Sequence, residues 1–557
     1  MSGVFDLIRE NKRTERGAER RFFSGVLLLS LSTVVVKLLG LGFKIPMLSL
    51  LGAEGMGYFN SAYEIFAVLC TLATAGLPIA LSILVASKRA NGELEAANGI
   101  YRSARRIFAF FGISVSLLML LLSEQLAELI GNPNARLCIC AIAPALAFSC
   151  LSGAIRGYCQ GFEYMSPTAI SQLIEAVGKL VFGILFALLA VRRGYGIPEV
   201  SAFAVLGISL GSLLALIYLA IAKRTKSFFA FAEDGGKNDS NAEWNGTKNS
   251  NLVKLLKIAF PITLGSLVIG LTRIIDMTLI MRRLADVGID ASERNEIYGA
   301  YTTLSLPVFS LIPALISPIA VALVPQLSAF AHRKDRRGEM TVTENSIRLT
   351  VILSLPASLG LTAFARPILE LLFSGQHEAI AMAAPLLSAL GGSVLFSCLM
   401  TTTNAILQAY GKANLPIVSM SIGVAVKLAS SWTLMGIEGI GVMGAPIGSL
   451  ICNITVTLIN LAFVFSCSGG GLSAMRLFFK PIAASAVSVG GALALYIYLN
   501  RAQGASTLTF ALALICAVLL YLAFSLAMGS ITVEDISLLP FFSRFFKRKR
   551  RKGKEES

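Results

Sequence analysis

The sequence predicts an all-α polytopic membrane protein of about 14 transmembrane helices, and three observations predict it. The first is bulk composition: 55% of the 557 residues are hydrophobic, only 14% are charged, and mean hydropathy is +0.73. A soluble chain of this length would need far more polar surface to cover its core. The second is the recurrence of apolar runs of about 20 residues, each long enough to cross about 30 Å of hydrocarbon. The runs are continuously apolar and do not alternate, so they read as helices and not as barrel strands. The third is where the charges fall. Nearly all Lys and Arg lie in short polar gaps between the runs.

Taken in order, the predicted spans are 22–45, 60–86, 107–123, 137–155, 167–191, 199–222, 255–281, 301–326, 347–365, 380–408, 414–435, 440–466, 477–498 and 507–529. Many of the 49 Gly and 18 Pro lie inside these runs, which membrane helices tolerate better than soluble ones. Pro78, Pro144, Pro167, Pro261, Pro318 and Pro416 would kink their helices and suit hinges, although ordinary membrane helices carry such prolines too. The stretch before Phe22 is polar and charged, and the run after it is too long for a signal h-region, so it reads as a retained first span.

Sidedness follows from the basic residues. Of the 48 Lys and Arg, 35 fall in the N-terminus, the even-numbered gaps and the C-terminus, together with the span ends bordering them; 8 fall in the odd-numbered gaps. Five more, Lys37, Lys44, Lys179, Arg273 and Lys427, lie within spans. The positive-inside rule therefore puts both termini in the cytoplasm, and an even span count follows. The same placement argues against nucleic acid as the partner of a chain with net charge +16.

Residues 223–254 read as a flexible cytoplasmic linker rich in Gly, Asn, Ser and Asp. It divides an N-lobe (1–222, spans 1–6) from a C-lobe (255–466, spans 7–12), with spans 13–14 in 467–530 and a tail at 531–557. The tail carries RFFKRKRRKGK (544–554), a basic segment suited to anionic membrane lipid. The lobes repeat one another. Ser30 precedes Lys37 by seven, and Pro78-Ile79-Ala80 comes twenty after Tyr58; Ser266 precedes Arg273 by seven, and Pro318-Ile319-Ala320 comes twenty after Tyr298. Gln160-Gly161, Pro167 and Lys179 are echoed by Gln408, Gly411, Pro416 and Lys427. Two six-helix copies enter the membrane from the same side, so a pseudo-two-fold axis along the membrane normal relates them.

The repeat pairs Lys37 with Arg273 and Lys179 with Lys427. A charge at mid-membrane costs at least a few kcal/mol, so these residues are expected to face a bundle interior or a watery cavity. A cationic cavity suits an anionic substrate, whose phosphate oxygens supply the counter-charge. The competing reading is local pairing: Glu175 lies four residues before Lys179, and Asp276 three after Arg273. Lys44, near the outer end of span 1, can snorkel to the interface. Lys37 and Lys427 have no acidic residue at helical spacing. Glu64, Glu175 and Asp276 are candidates for a coupled Na+ or H+.

No GxxxxGK[ST] loop, HExxH, nucleophile elbow or Cys/His dyad is present, so neither nucleotide-driven transport nor enzymatic catalysis is expected. The nine Cys show no metal-ligand spacing, and the two His, His332 and His377, lie in or near polar gaps. No cofactor is expected.

KLLGLGFKIPMLSLLGAEGMGYFNSAYEIF (Lys37–Phe66), GLPIALS (Gly76–Ser82), GYCQGFEYMSPTAISQLIE (Gly157–Glu175), PITLGSLVIGLTRIID (Pro261–Asp276) and ALVPQLS (Ala322–Ser328) resemble the stage V sporulation protein B-like polysaccharide transport family. That family belongs to the multidrug/oligosaccharidyl-lipid/polysaccharide exporter superfamily, which also contains lipid II flippases. The resemblance implies two six-helix lobes, two extra helices, alternating access and a polyprenyl-pyrophosphate-linked glycan as cargo, with lipid II foremost, in the cytoplasmic membrane of a bacterium. It also implies that Lys37, with Gly40, is a substrate contact, and that Lys44 matches a second basic position displaced by one. Span 8 departs: Tyr301-Thr302-Thr303 stands where flippases carry a cavity arginine, and Arg273 is the expected substitute. An ion-coupled multidrug cation exporter is the alternative, and a non-transporting scaffold for cell-wall or sporulation enzymes is the third reading.

Overall fold

A computed structural model describes residues 2–162, 164–224, 248–332, 335–412, 414–437, 439–468, 479–503 and 507–529. Residues 225–247 of the expected linker and the basic tail 544–554 lie outside the described residues. Every regular element among the described residues is helical. Twelve segments are long and apolar enough to cross a membrane. One of them, Val35–Arg89, holds 55 residues, about 80 Å if straight, which is far more than one crossing needs.

The excess length is explained at Gly52. Helix α1 (Ser2–Thr74) is interrupted there by a residue at φ 68°, ψ −179°, a conformation that side chains with a Cβ rarely adopt. The Phe43 and Phe59 ring centroids are 5.8 Å apart. Sixteen residues of uninterrupted helix would separate them by about 24 Å, so the chain reverses between them. This reversal and the 39-residue helix Lys248–Asp286, which lies outside the twelve, bring the crossings to the predicted number.

The chain divides into two compact units, Met1–Gly299 and Ala300–Ser557. The first contains α1, α2 (Gly76–Ala90), α3 (Leu94–Leu121), α4 (Ser123–Leu129), α5 (Arg136–Gly161), α6 (Ser166–Arg192), α7 (Ile197–Arg224), α8 (Lys248–Asp286) and nearly all of α9 (Ala291–Ala300). α6 and α7 approach closely because each is glycine where they cross. A Cβ on Gly178 would sit 2.7 Å from the Gly211 Cα. α9 is tied in by a buried amide pair. Asn132 Nδ2 donates to Asn295 Oδ1 at 2.7 Å and to Ser61 Oγ at 3.0 Å. Both amides are buried, so losing one would strand the other's hydrogen-bonding groups.

The second unit contains α10 (Leu306–His332), α11 (Arg336–Ala363), α12 (Ala365–Leu372), α13 (His377–Ala409), α14 (Asn414–Met435), α15 (Gly444–Ser468), α16 (Lys480–Gln503) and α17 (Thr507–Ala527). Tyr301–Ser305 form a π-helical turn leading into α10, and all five residues are buried. Within α13–α15, Asn460 Nδ2 donates to Asn404 Oδ1 at 2.8 Å, and Ser419 donates to Asn460 Oδ1 at 2.6 Å. α16 and α17 pack on one another, and Phe510 of α17 joins Phe364 in an aromatic cluster.

Two boundaries differ from those expected. α3 begins at Leu94, so Arg102, Arg105 and Arg106 are helical and not loop residues. α8 begins at Lys248, inside the expected linker.

Candidate functional site

The reversal at Gly52 lays two parts of α1 side by side. The first carries Phe43 and Lys44, and the second carries Phe59, Tyr63 and Glu64. α6 closes over them with Lys179. A Cβ on Gly183, one turn beyond Lys179, would come within 2.9 Å of the Phe43 ring, so the glycine makes room for that ring. The Lys179 ammonium then lies over three aromatic faces, 5.0 Å from the Phe43 centroid, 5.7 Å from Phe59 and 4.7 Å from Tyr63. Each face attracts a cation through the ring quadrupole, by about 2 kcal/mol when water is excluded. The rings hold the charge in place without neutralising it.

The expected local pair of Glu175 with Lys179 does not form. Glu175 turns to α5, where Arg156 Nη2 donates to its Oε2 at 2.9 Å; Ser212 of α7 donates to its Oε1 at 3.0 Å. Arg156 also donates to Ser171 at 2.9 Å. Its side chain is 17% exposed, so this is a largely desolvated pair and not a surface bridge. Among the described residues, Lys179 makes no ion pair.

Arg273 of α8 likewise reaches across to α1: its Nη1 is 3.8 Å from Glu64 Oε2. The geometry is lopsided, with Arg273 58% exposed and Glu64 13% exposed. Lys44 shares this electrostatic neighbourhood with Lys179, Glu64 and Arg273, and Asp276 adds a second carboxylate near Glu64. Of the eight residues singled out from sequence, unit 1 therefore gathers five, Lys44, Glu64, Lys179, Arg273 and Asp276. Glu175 borders them with its charge directed to Arg156.

Lys37 and Lys427 stand apart. Lys37 is exposed on α1, two turns before Lys44 on the same face, and a Cβ at Gly40 between them would meet nothing within 4 Å. Lys427 lies on α14 in the second unit and is 6% exposed. Sequence reasoning missed Arg156 by counting it to a loop. It also missed the three rings, although a reversal at Gly52 pairs positions at nearly equal distance on either side, as 43 and 59 are.

The chain is similar to known proteins along most of its length. The polysaccharide biosynthesis protein family matches residues 22–331, and the MatE family matches residues 299–433. Stage V sporulation protein B of Bacillus subtilis (strain 168) is 24% identical over 449 residues, covering 80% of this chain and 84% of that protein. The lipid II flippase MurJ of the same organism is 23% identical over 422 residues, covering 73% and 76%. Among solved structures, the lipid II flippase MurJ in an inward closed conformation superposes with TM-score 0.66 at 17% identity, over 90% of this chain and 98% of that one. An inward-facing multidrug resistance MATE transporter superposes with TM-score 0.65 at 13% identity, over 80% and 98%. These likenesses show the fold of the MATE and MurJ transporters in a multi-pass membrane protein. With a match extending over more than half of its length, the chain belongs to the polysaccharide biosynthesis protein family.

Proposed function

We propose that this protein is a flippase. It carries an undecaprenyl-pyrophosphate-linked cell-wall precursor, lipid II in the simplest case, across the bacterial cytoplasmic membrane by alternating access, with both termini in the cytoplasm. The observation that carries the reading is the Lys179 ammonium held on three rings beside Lys44 and Arg273. A pyrophosphate offers several charged oxygens to these donors, and guanidinium and ammonium groups together match it in charge and geometry. Lys37 extends the same face of α1, and Lys427 is its second-lobe counterpart of Lys179 under the repeat. The relatives named above, one a sporulation protein and one a lipid II flippase, support a lipid-linked glycan as cargo.

Glu64 is the foremost candidate for a coupled proton or sodium ion, since it is nearly buried and its cationic partner is half in solvent. That same carboxylate favours the second reading, an ion-coupled exporter of organic cations on the MATE fold. A scaffold role would make all of these charges dispensable.

The test is reconstitution into liposomes with lipid II, scoring headgroups that become accessible to a membrane-impermeant reagent. Protein-dependent exposure of lipid II supports the reading. Exposure no faster than in protein-free liposomes, with export of a cationic dye by the same preparation, would replace it with the exporter.

A further inference from the structure

A second group of cations, away from the Lys179 site, is arranged on rings at the ends of α2, α3, α5 and α7. Arg89 of α2 lies 5.8 Å from the Phe162 ring centroid and donates to the Phe162 carbonyl at 2.9 Å. Phe162 packs on Tyr158 at 5.0 Å, and Tyr158 on Tyr101 of α3 at 4.5 Å. Lys223, at the end of α7, closes the series, 3.2 Å from the Tyr101 centroid and 4.6 Å from that of Tyr158. The Tyr158 hydroxyl is held by Asn98, which fixes the ring.

Arg105, one turn beyond Tyr101 on α3, reaches the same tyrosine and lies close enough to Lys223 to repel it. Neither cation has an ion-pair partner among the described residues. The acid of the α2–α3 turn, Glu93, is committed elsewhere: Lys88 donates to it at 2.7 Å and holds its carboxyl below the usual carboxylate range. Arg102 and Arg106 add two more exposed cations to the same stretch of α3.

Like charges brought together on one ring without a carboxylate destabilise each other unless an anion joins them. The charge bias along the sequence assigns these helix ends to the cytoplasmic face, where the leaflet presents anionic headgroups. We infer that Arg105 and Lys223, set on Tyr101 and Tyr158, form a binding site for the phosphate of an anionic phospholipid headgroup in the cytoplasmic leaflet. Two cationic donors would grip the phosphodiester, and the tyrosines would fix them at the depth of the headgroup. The site is independent of what the protein transports.

The test uses full-length protein in detergent, titrated with phosphatidylglycerol and read by native mass spectrometry. Arg105→Gln with Lys223→Gln should weaken phosphatidylglycerol binding by about tenfold or more, as expected for two lost charge-assisted contacts. Phosphatidylcholine binding should not change, nor should phosphatidylglycerol binding to an Arg366→Gln control. Without lipid, the double variant should unfold at the wild-type temperature or higher, because a repulsion has been removed. Wild-type phosphatidylglycerol affinity in a folded double variant would overturn the inference. Inorganic phosphate displacing the lipid at equal concentration would overturn the assignment to a lipid.

Discussion

The first unit holds cations on aromatic rings in two places, and the two differ in the company the rings keep. Around Lys179 the rings share their space with carboxylates: Glu64 faces Arg273, and Glu175 is bound to Arg156 one helical turn away. Around Lys223 no described carboxylate pairs with either Lys223 or Arg105. The first arrangement is a mixed-charge cluster assembled from α1, α6 and α8. The second is purely cationic, at helix ends. The comparison teaches that rings and carboxylates do different work for a buried cation. A carboxylate neutralises it, whereas a ring positions it and leaves its charge available to an incoming anion.

The comparison is broken most severely at Glu175. Glu175→Ala strands the largely desolvated Arg156 and also removes the acceptor of Ser212. It should cost about 3 kcal/mol of stability, seen as a lowered unfolding temperature in detergent. Phosphatidylglycerol binding at the Lys223 site should persist below that temperature. An unchanged unfolding temperature would mean that the Arg156 pair is not a structural fixture.

Flattening the aromatic cradle has a smaller effect. Phe59→Leu and Tyr63→Leu each remove one cation–π face and should lower transport several-fold, equivalent to about 1 kcal/mol each, with little loss of fold. Combined, they should cost more than either alone, which a transport assay on the three variants would read. The smallest stability effect is expected at Glu64. Because Arg273 is mostly exposed and 3.8 Å away, Glu64→Gln should change the unfolding free energy by no more than about 1 kcal/mol. If Glu64 carries the coupled ion, the same variant should abolish the response of transport to an imposed pH or sodium gradient, measured in liposomes.

Much of this was legible in the sequence, for identifiable reasons. Span positions follow from the hydrophobic thickness of the bilayer, and in-span charges are so costly that Lys44, Glu64, Lys179 and Arg273 declare themselves. What the sequence left open was pairing. Glu175 and Lys179 satisfy the i,i+4 rule of an isolated helix, yet in a bundle Glu175 is offered Arg156 from α5 and Ser212 from α7. Helix ends were misjudged for a related reason. Arg102, Arg105, Arg106 and Arg156 read as loop residues by hydropathy, but α3 and α5 continue past the apolar run as polar helix. The Tyr301-Thr302-Thr303 departure acquires a physical form, a buried π-turn whose Ser305 donates to the Ala383 carbonyl at 2.9 Å. Nothing in the composition of that segment announces the turn.

The central claim is that Lys179 is held on its rings to meet the phosphates of a lipid-linked cargo. The most direct measurement is rescue of a bacterium depleted of its own lipid II flippases, comparing the wild-type protein with Lys179→Met and Lys179→Arg at equal membrane levels. Growth with the wild type, none with Lys179→Met and partial growth with Lys179→Arg is the predicted result. Growth restored equally by Lys179→Met would contradict the claim.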